Sequence, residues 1–153
     1  VAITAPCAFV NAPVSVLIGL ISGVLVIWAS LFIEKTLKID DPVGAIAVHG
    51  CNGAWGIIAL GLFADGSYGD GWNGVPGTVK GLFYGDPSQL VAELIGIGTC
   101  FVWVFVTFFI FFKIIDVVVG NRVPADAELA GLDIPEMGAL AYPDFSLKTP
   151  ETV

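Results

Sequence analysis

Three long apolar segments without a formal charge constrain this chain more than any other feature of its sequence. Residues 14–33 and 44–63 each contain no Asp, Glu, Lys or Arg, and residues 94–112 form a third such run inside the longer segment 89–119. A helix that crosses the ~30 Å hydrocarbon core of a bilayer needs about 20 apolar residues. The sequence therefore predicts an all-α integral membrane protein with three full spans.

The overall composition agrees with this fold class and excludes others. Of the 153 residues, 56% are hydrophobic and 13% are charged, and the mean hydropathy is +0.89, whereas a soluble domain has about 25% charged residues. The formal net charge of −8 argues against nucleic acid as a partner, because phosphate binding needs basic patches. The acidic segment 120–153, which is also rich in Gly and Pro, is expected to be a solvated tail.

No combination of residues indicates an enzyme, a metal site or another cofactor site. Cys7, Cys51 and Cys100 lie far apart, without a CxxC motif, so neither a zinc site nor a disulfide framework is predicted. The sequence also contains no phosphate-binding loop, no nucleophile motif and no second histidine.

Basic residues indicate how the spans are oriented. The loop 34–43 carries two lysines and residues 113–153 carry three basic residues, whereas the glycine-rich loop 64–88 carries one. Because short cytoplasmic loops are enriched in Lys and Arg, we expect the loop 34–43 and the tail 120–153 to be cytoplasmic. The loop 64–88 is then expected to lie outside.

His49 lies inside the second apolar run and is the residue most suited to chemistry. Ionisable groups within a span usually face a bundle interior, a cavity or a proton path, and histidine exchanges protons near neutral pH. Helical spacing places small or polar residues on the same face, at Ala45, Asn52, Gly53 and Gly56. Ala45 and Asn52 are therefore predicted to line a narrow pore beside His49. A structural histidine that is hydrogen-bonded to a neighbouring helix explains the same residue equally well.

Two further patterns concern packing and helix ends. Asp40, Asp41 and Pro42 precede the second span; an Asp caps free backbone N–H groups and a Pro fits the first turn, so a structural role in the cytoplasmic loop is predicted. Ser15 and Gly19 begin a series of small residues, continued by Gly23, that favours close packing of helices in lipid.

The stretch DDPVGAIAVHGCNGAWGIIALGLFADG (40–66) and the tail GNRVPADAELAGLDIPEMGALAYPDF (120–145) resemble the carboxy-terminal part of an ammonium transporter of the Amt/Mep/Rh family, Amt branch. The resemblance covers nearly the whole chain. It implies an eleven-helix inverted-repeat fold that assembles as a homotrimer with one pore per subunit. It also implies a multi-pass protein of the inner or plasma membrane with its carboxy-terminal tail in the cytoplasm. The chain is expected to be a piece of such a protein that supplies its last three spans.

The resemblance further implies transport of ammonium or ammonia, with methylammonium as an analogue. In the family, ammonium loses its proton at the pore entrance and ammonia passes a pair of histidines, the second of which matches His49. Membrane lipid and a PII-type regulatory protein at the cytoplasmic face are the implied partners. An ammonium sensor that signals through its tail on the same scaffold is the alternative, and a Rh-like gas channel is disfavoured. Cys51-Asn52 and Met137 depart from the family pattern.

Overall fold

A computed structural model describes residues 1–71 and 74–142 of the chain. The predicted tail beyond residue 142 lies outside the described residues. Contacts divide the chain into two units, Val1–Val104 and Phe105–Val153, with the third long helix contributing to both.

The described residues are mostly helical and contain no extended strand, which confirms the all-α class. Three segments are long and apolar enough to cross a membrane. The helices, in chain order, are α1 (Ala12–Leu31) with a π-helical continuation (Phe32–Thr36), a π-helical segment (Ala45–Cys51) that runs into α2 (Asn52–Phe63), a short 3₁₀-helix (Leu82–Tyr84), α3 (Pro87–Val118), α4 (Ala125–Ala130) and a π-helical turn (Asp133–Met137).

Helix α1 begins two residues earlier than residue 14, where the sequence placed its start. The side chain of Asn11 accepts a hydrogen bond from the backbone N–H of Val14 at 3.1 Å, and Pro13 lies in the first turn. An Asn cap satisfies one of the free N–H groups at a helix start, and a Pro there removes another. The cap therefore sets the start, although the apolar run begins only at residue 14.

In the first unit, small groups of buried apolar side chains join the amino-terminal segment, α1 and α2. One cluster contains Ala2, Ile18 and Ala59. Another joins α1 to the π-helical segment through Ala29 and Ala47, together with Ile33 from the continuation of α1. These clusters hold α1 and the second span side by side.

Glycines allow close approaches where α2 meets its neighbours. A Cβ on Gly61 would lie 2.8 Å from the Cα of Leu90 in α3, and a Cβ on Gly81 would lie 2.6 Å from the carbonyl carbon of Leu62. Any side chain at these positions would force the backbones apart. Gly61 of the second span and Gly81 of the loop that follows thus serve packing within the first unit.

The connection between α2 and α3 is organised by two short hydrogen-bonded turns. Asp65 accepts hydrogen bonds from the hydroxyl and the backbone N–H of Ser67, and the same arrangement joins Asp86 to Ser88. In each turn the serine hydroxyl is the main cause, and the serine N–H the second, of a lowered pKa for the aspartate. Both carboxylates are therefore held in their charged form by local hydrogen bonds.

The second unit contains the end of α3 and the part of the tail up to residue 142. The side-chain N–H of Asn121, three residues after the end of α3, donates to the carbonyl of Phe112 in that helix at 2.8 Å. Arg122 forms a two-bond ion pair with Glu128 of α4, at 2.9 and 2.8 Å. Farther along, the carboxylate of Asp133 accepts a hydrogen bond from the backbone N–H of Ala141.

Most of the large apolar side chains of the three spans are exposed in this chain. None of the residues of α3 is buried, and 71% of the surface of Trp103 is exposed to solvent. The Cβ positions of Gly19 and Gly23 on α1 face open space, so these two glycines pack against no described residue. Surfaces of this kind suit lipid or further transmembrane helices.

Candidate functional site around His49

His49 belongs to the π-helical segment Ala45–Cys51 in the middle of the sequence's second apolar run. Its side chain is exposed, and no described residue is hydrogen-bonded to the imidazole. Short π-helical stretches are rare and occur frequently at functional sites. No described residue occupies the imidazole, so it is available to a molecule or to a helix outside the described residues.

The start of the π-helical segment is fixed by Asp41. Its Oδ2 atom accepts hydrogen bonds from the backbone N–H groups of Ile46 and Ala47, at 3.0 and 3.1 Å. The carboxylate thus satisfies two of the free donors at the helix start and also opposes the positive end of the helix dipole. The sequence predicted this capping role for the Asp-Asp-Pro motif.

The rest of that motif behaves differently from the prediction. Pro42 is exposed and lies in a turn closed by a hydrogen bond from the N–H of Gly44 to the carbonyl of Asp41, so it is not in the first helical turn. Gly44 has φ +67°, and the helix begins only after it. The left-handed conformation of Gly44 lets the chain reverse so that Asp41 reaches the helix start. Asp40 is exposed beside it.

The end of the π-helical segment is fixed by Asn52, the first residue of α2. Its Oδ1 accepts a hydrogen bond from the Ser22 hydroxyl of α1 at 2.7 Å, and its Nδ2 donates to the carbonyl of Ala47 at 3.3 Å. The residue is only 3% exposed. A polar side chain in an apolar environment is tolerated when its hydrogen bonds are made, as they are here.

The structure divides the face that helical spacing assigned to His49. Ala45 is exposed like His49, but Asn52 and Gly56 are buried and Gly53 is half-buried. A π-helix has hydrogen bonds from i to i+5 and hence more residues in each turn than an α-helix. The angle between His49 and the residues after it is therefore not the one that an α-helix gives. Asn52 faces α1, where it bonds to Ser22.

Gly56 lies on the buried side of α2. A Cβ at this position would lie 2.3 Å from the carbonyl oxygen of Ala2. The indole N–H of Trp55, the residue just before Gly56, donates to the carbonyl of Ile18 at 3.3 Å. This side of α2 is consequently committed to contacts with α1 and the amino-terminal segment.

Ser22 is the residue of this site that the sequence did not reveal. It lies within the uncharged run 14–33, where serine is a common residue of membrane helices, and its partner stands thirty positions later. The only signal was indirect, since a buried Asn must find hydrogen-bond partners. The sequence could not say which neighbouring helix would supply them.

Other ionisable or metal-binding groups do not form a second site in the described part of the chain. Glu93 accepts a hydrogen bond from Gln89 at 2.6 Å, and Asp116 accepts one from the N–H of Asn121 at 3.3 Å. The ammonium group of Lys113 lies 6.0 Å from the centre of the Phe109 ring. All three cysteines are free, and no group of three or more metal-binding side chains occurs among the described residues.

The described residues include three helices of membrane-spanning length. One of them carries an exposed histidine in a π-helical segment. Together these features define a polytopic helical membrane protein. The chain belongs to the ammonium transporter family. The family model described as Ammonium Transporter Family matches residues 1–142.

Similarity to individual proteins leads to the same family. The chain is 48% identical over 145 residues to a protein named Ammonium transporter Amt2 from Archaeoglobus fulgidus, a match that covers 95% of this chain and 31% of that protein. It is 35% identical to a protein named Ammonium transporter from Bacillus subtilis, with 94% and 34% covered. It is 37% identical to Ammonium transporter 1 member 1 of Solanum lycopersicum, with 92% and 29% covered. The chain thus spans about a third of the length of the curated relatives it matches.

Proposed function

We propose that this chain provides the histidine-bearing part of a pathway for ammonium and ammonia across the inner or plasma membrane. The observation that carries the proposal is the position of His49, which is exposed on a span of an ammonium transporter family member and has no hydrogen-bond partner among the described residues. Ionisable groups within a membrane span usually face a bundle interior, a cavity or a proton path.

The physical problem in such a pathway is the charge of ammonium. Transfer of an ion into an apolar pore carries a large desolvation cost, whereas neutral ammonia carries a much smaller one. We propose that ammonium loses its proton at the pore entrance and that ammonia passes His49, paired with a second histidine outside this chain. A neutral imidazole can donate a hydrogen bond from one nitrogen and accept one at the other, so a pair of them can hold ammonia and relay a proton.

The neighbours of His49 have different roles in this proposal. Ala45 shares the exposure of His49 and offers a small side chain that leaves space beside the imidazole. Asp41 holds the start of the segment from the loop that we expect to be cytoplasmic. Asn52 was predicted from the sequence to line the pore, and its burial against α1 favours a supporting role instead.

The expected assembly follows from the surfaces that this chain leaves uncovered. We propose a homotrimer embedded in lipid, in which the exposed faces of α1 and α3 contact either lipid or the remaining helices. The acidic tail is proposed to lie in the cytoplasm, where a PII-type protein can reach it. Transport rather than catalytic turnover is the proposed activity, consistent with the names of the relatives.

The decisive experiment measures ammonium-driven current in vesicles that contain the full-length protein. Replacement of His49 by Ala should abolish the current or change its selectivity between ammonium and methylammonium. Cys100→Ser, a replacement at an exposed position of α3, is the control and should conduct normally. Unchanged current and selectivity in His49→Ala would refute the proposal.

Current measurements on the same vesicles distinguish a transporter from an ammonium sensor. A sensor binds the ion and changes conformation without net flux, so it would give no current in the unaltered protein while still binding ammonium. Sustained current in the unaltered protein excludes the sensor as its only role.

A further inference from the structure

Asn52 is the one polar side chain that the described residues bury, and both ends of its amide are in use. The oxygen accepts from the Ser22 hydroxyl of α1, and the nitrogen donates to the Ala47 carbonyl inside the π-helical segment. Because the Ala47 carbonyl can only accept, it must face the amide nitrogen, and this gives the side chain a single orientation. It links a neighbouring helix to the backbone that carries His49.

The Ala47 carbonyl is a position where an additional donor is useful. At the end of a π-helical segment the backbone returns from i→i+5 to i→i+4 hydrogen bonding, so one carbonyl at the junction is left without a backbone N–H donor. The side-chain N–H of Asn52 supplies the extra donor at this junction. Loss of this hydrogen bond should destabilise the π-helical hydrogen-bonding pattern of the segment.

We propose that Asn52 is a positioning residue for His49 and that Ser22 anchors it to α1. His49 lies between Ala47 and Asn52 along the chain, so the register of this short segment sets the direction of the imidazole. Asn52 acts through the backbone and needs no contact with the permeating amine. This inference rests on the proposed role of His49 in conduction.

Apolar packing explains why the hydrogen bonds orient the segment rather than hold the helices together. Ala47 packs against Ala29 and Ile33, and Ala59 of α2 belongs to a buried apolar cluster with Ile18 of α1. Single hydrogen bonds between membrane helices contribute modestly to stability. Loss of the Ser22 hydroxyl should therefore leave α1 and α2 assembled but release the amide of Asn52.

The test uses the full-length protein in lipid vesicles with ¹⁵N-labelled histidine. Ring resonances of His49 are assigned as those absent from His49→Gln, and ammonium-driven current is measured on the same samples. The variants are Asn52→Ala, Ser22→Ala and the conservative Ser22→Thr. Ser30→Ala is the matched control, because the Ser30 hydroxyl also lies on α1 but bonds only to the carbonyl of Val26 in its own helix.

The expected result is a joint change in spectrum and current. Asn52→Ala and Ser22→Ala should shift the ring resonances of His49 and lower the current about fivefold or more, the size expected for one lost hydrogen bond. Ser22→Thr keeps the hydroxyl and should restore both readouts. Ser30→Ala should match the unaltered protein in both.

Two results would overturn the proposal. If Asn52→Ala and Ser22→Ala leave the His49 resonances unchanged, Asn52 does not position the imidazole, whatever happens to the current. If Ser22→Thr fails to restore the resonances, the hydroxyl is not the anchor. Should Asn52→Ala fail to assemble, the two Ser22 variants carry the test alone.

The spectrum also separates this proposal from the proposed function. Normal current in His49→Gln and His49→Ala would refute conduction through His49, yet the shifts caused by Ser22→Ala would still report on positioning. Conversely, loss of current in those His49 variants together with unshifted resonances in Ser22→Ala would leave the function standing and remove the positioning role.

Discussion

Gly56 of α2 lies so close to Ala2 that a Cβ added to the glycine would stand 2.3 Å from the Ala2 carbonyl oxygen. The contact joins the amino-terminal segment to the second span, next to the buried cluster that contains Ala2 and Ala59. Backbone atoms on both sides leave no flexible side chain to move aside. The absence of a side chain at position 56 is thus a requirement of the packing.

Gly56→Ala should destabilise the first unit by about 1–3 kcal/mol, the usual cost of added atoms in a well-packed interior. Gly53→Ala is the matched control in the same helix, since a Cβ there meets no atom within 4 Å. Thermal unfolding of the full-length protein in detergent measures both. Equal midpoints for the two variants would contradict the close contact.

Asp41→Ala should loosen the start of the π-helical segment, because the N–H groups of Ile46 and Ala47 lose their common acceptor. The expected cost is about 1 kcal/mol, typical of a lost helix cap. Hydrogen exchange at these two amides should accelerate by about fivefold. Asp41→Asn retains an acceptor oxygen and should exchange nearly as slowly as the unaltered protein.

Asp40→Ala is the control for this effect, since Asp40 is the exposed neighbour that caps nothing among the described residues. Faster exchange at Ile46 in Asp40→Ala, or unchanged exchange in Asp41→Ala, would show that the carboxylate of Asp41 does not hold the helix start.

Ser67→Ala should raise the pKa of Asp65 toward its ordinary value of 3.8, because the hydroxyl of Ser67 is the largest cause of the lowered pKa. A carboxylate whose pKa is lower in the folded than in the unfolded state contributes stability above the unfolded pKa. This contribution is lost as the pH falls through the folded pKa. The stability difference between Ser67→Ala and the unaltered protein should therefore be constant near neutral pH and shrink in acid.

Unfolding midpoints at neutral pH and at about pH 3 measure this difference. In an Asp65→Ala background the Ser67→Ala replacement should produce no such acid-dependent change. A difference that grows on acidification would contradict the hydrogen bond from Ser67 to the charged form of Asp65.

Glu128→Gln should have only a small effect on the second unit, although its ion pair with Arg122 has two short hydrogen bonds. The side chains are 78% and 46% exposed, and exposed ion pairs contribute about 0–1 kcal/mol. Protease cleavage rates within the tail should therefore rise by less than about fivefold. The increase should disappear at high salt, because screening already weakens the pair in the unaltered protein.

Asn121→Ala provides the contrast in the same unit. Its side-chain N–H donates to the carbonyl of Phe112, about two turns before the end of α3, and this bond does not depend on a pair of opposite charges. Its effect on exchange at the last turn of α3 should persist at high salt. A salt-sensitive effect would show that the helix end is held by electrostatics instead.

The sequence by itself determined the three spans, because a bilayer demands apolar runs of a length that chance composition rarely supplies. It also determined the family, through the residues around His49 and the tail, and the comparisons confirmed that membership. Asp41 could be recognised as a cap from its place before an apolar run. Each of these features depends on residues close together in the chain.

Only the tertiary structure decided the roles of Asn52 and Ser22. Periodicity placed Asn52 beside His49 on the assumption of a regular α-helix, but a π-helical segment at Ala45–Cys51 changes the residues that share a face. Asn52 bonds to a hydroxyl thirty positions earlier in the chain, and Ala47 packs against Ala29 of α1. Such contacts depend on which helices lie side by side, which a pattern within one segment does not contain.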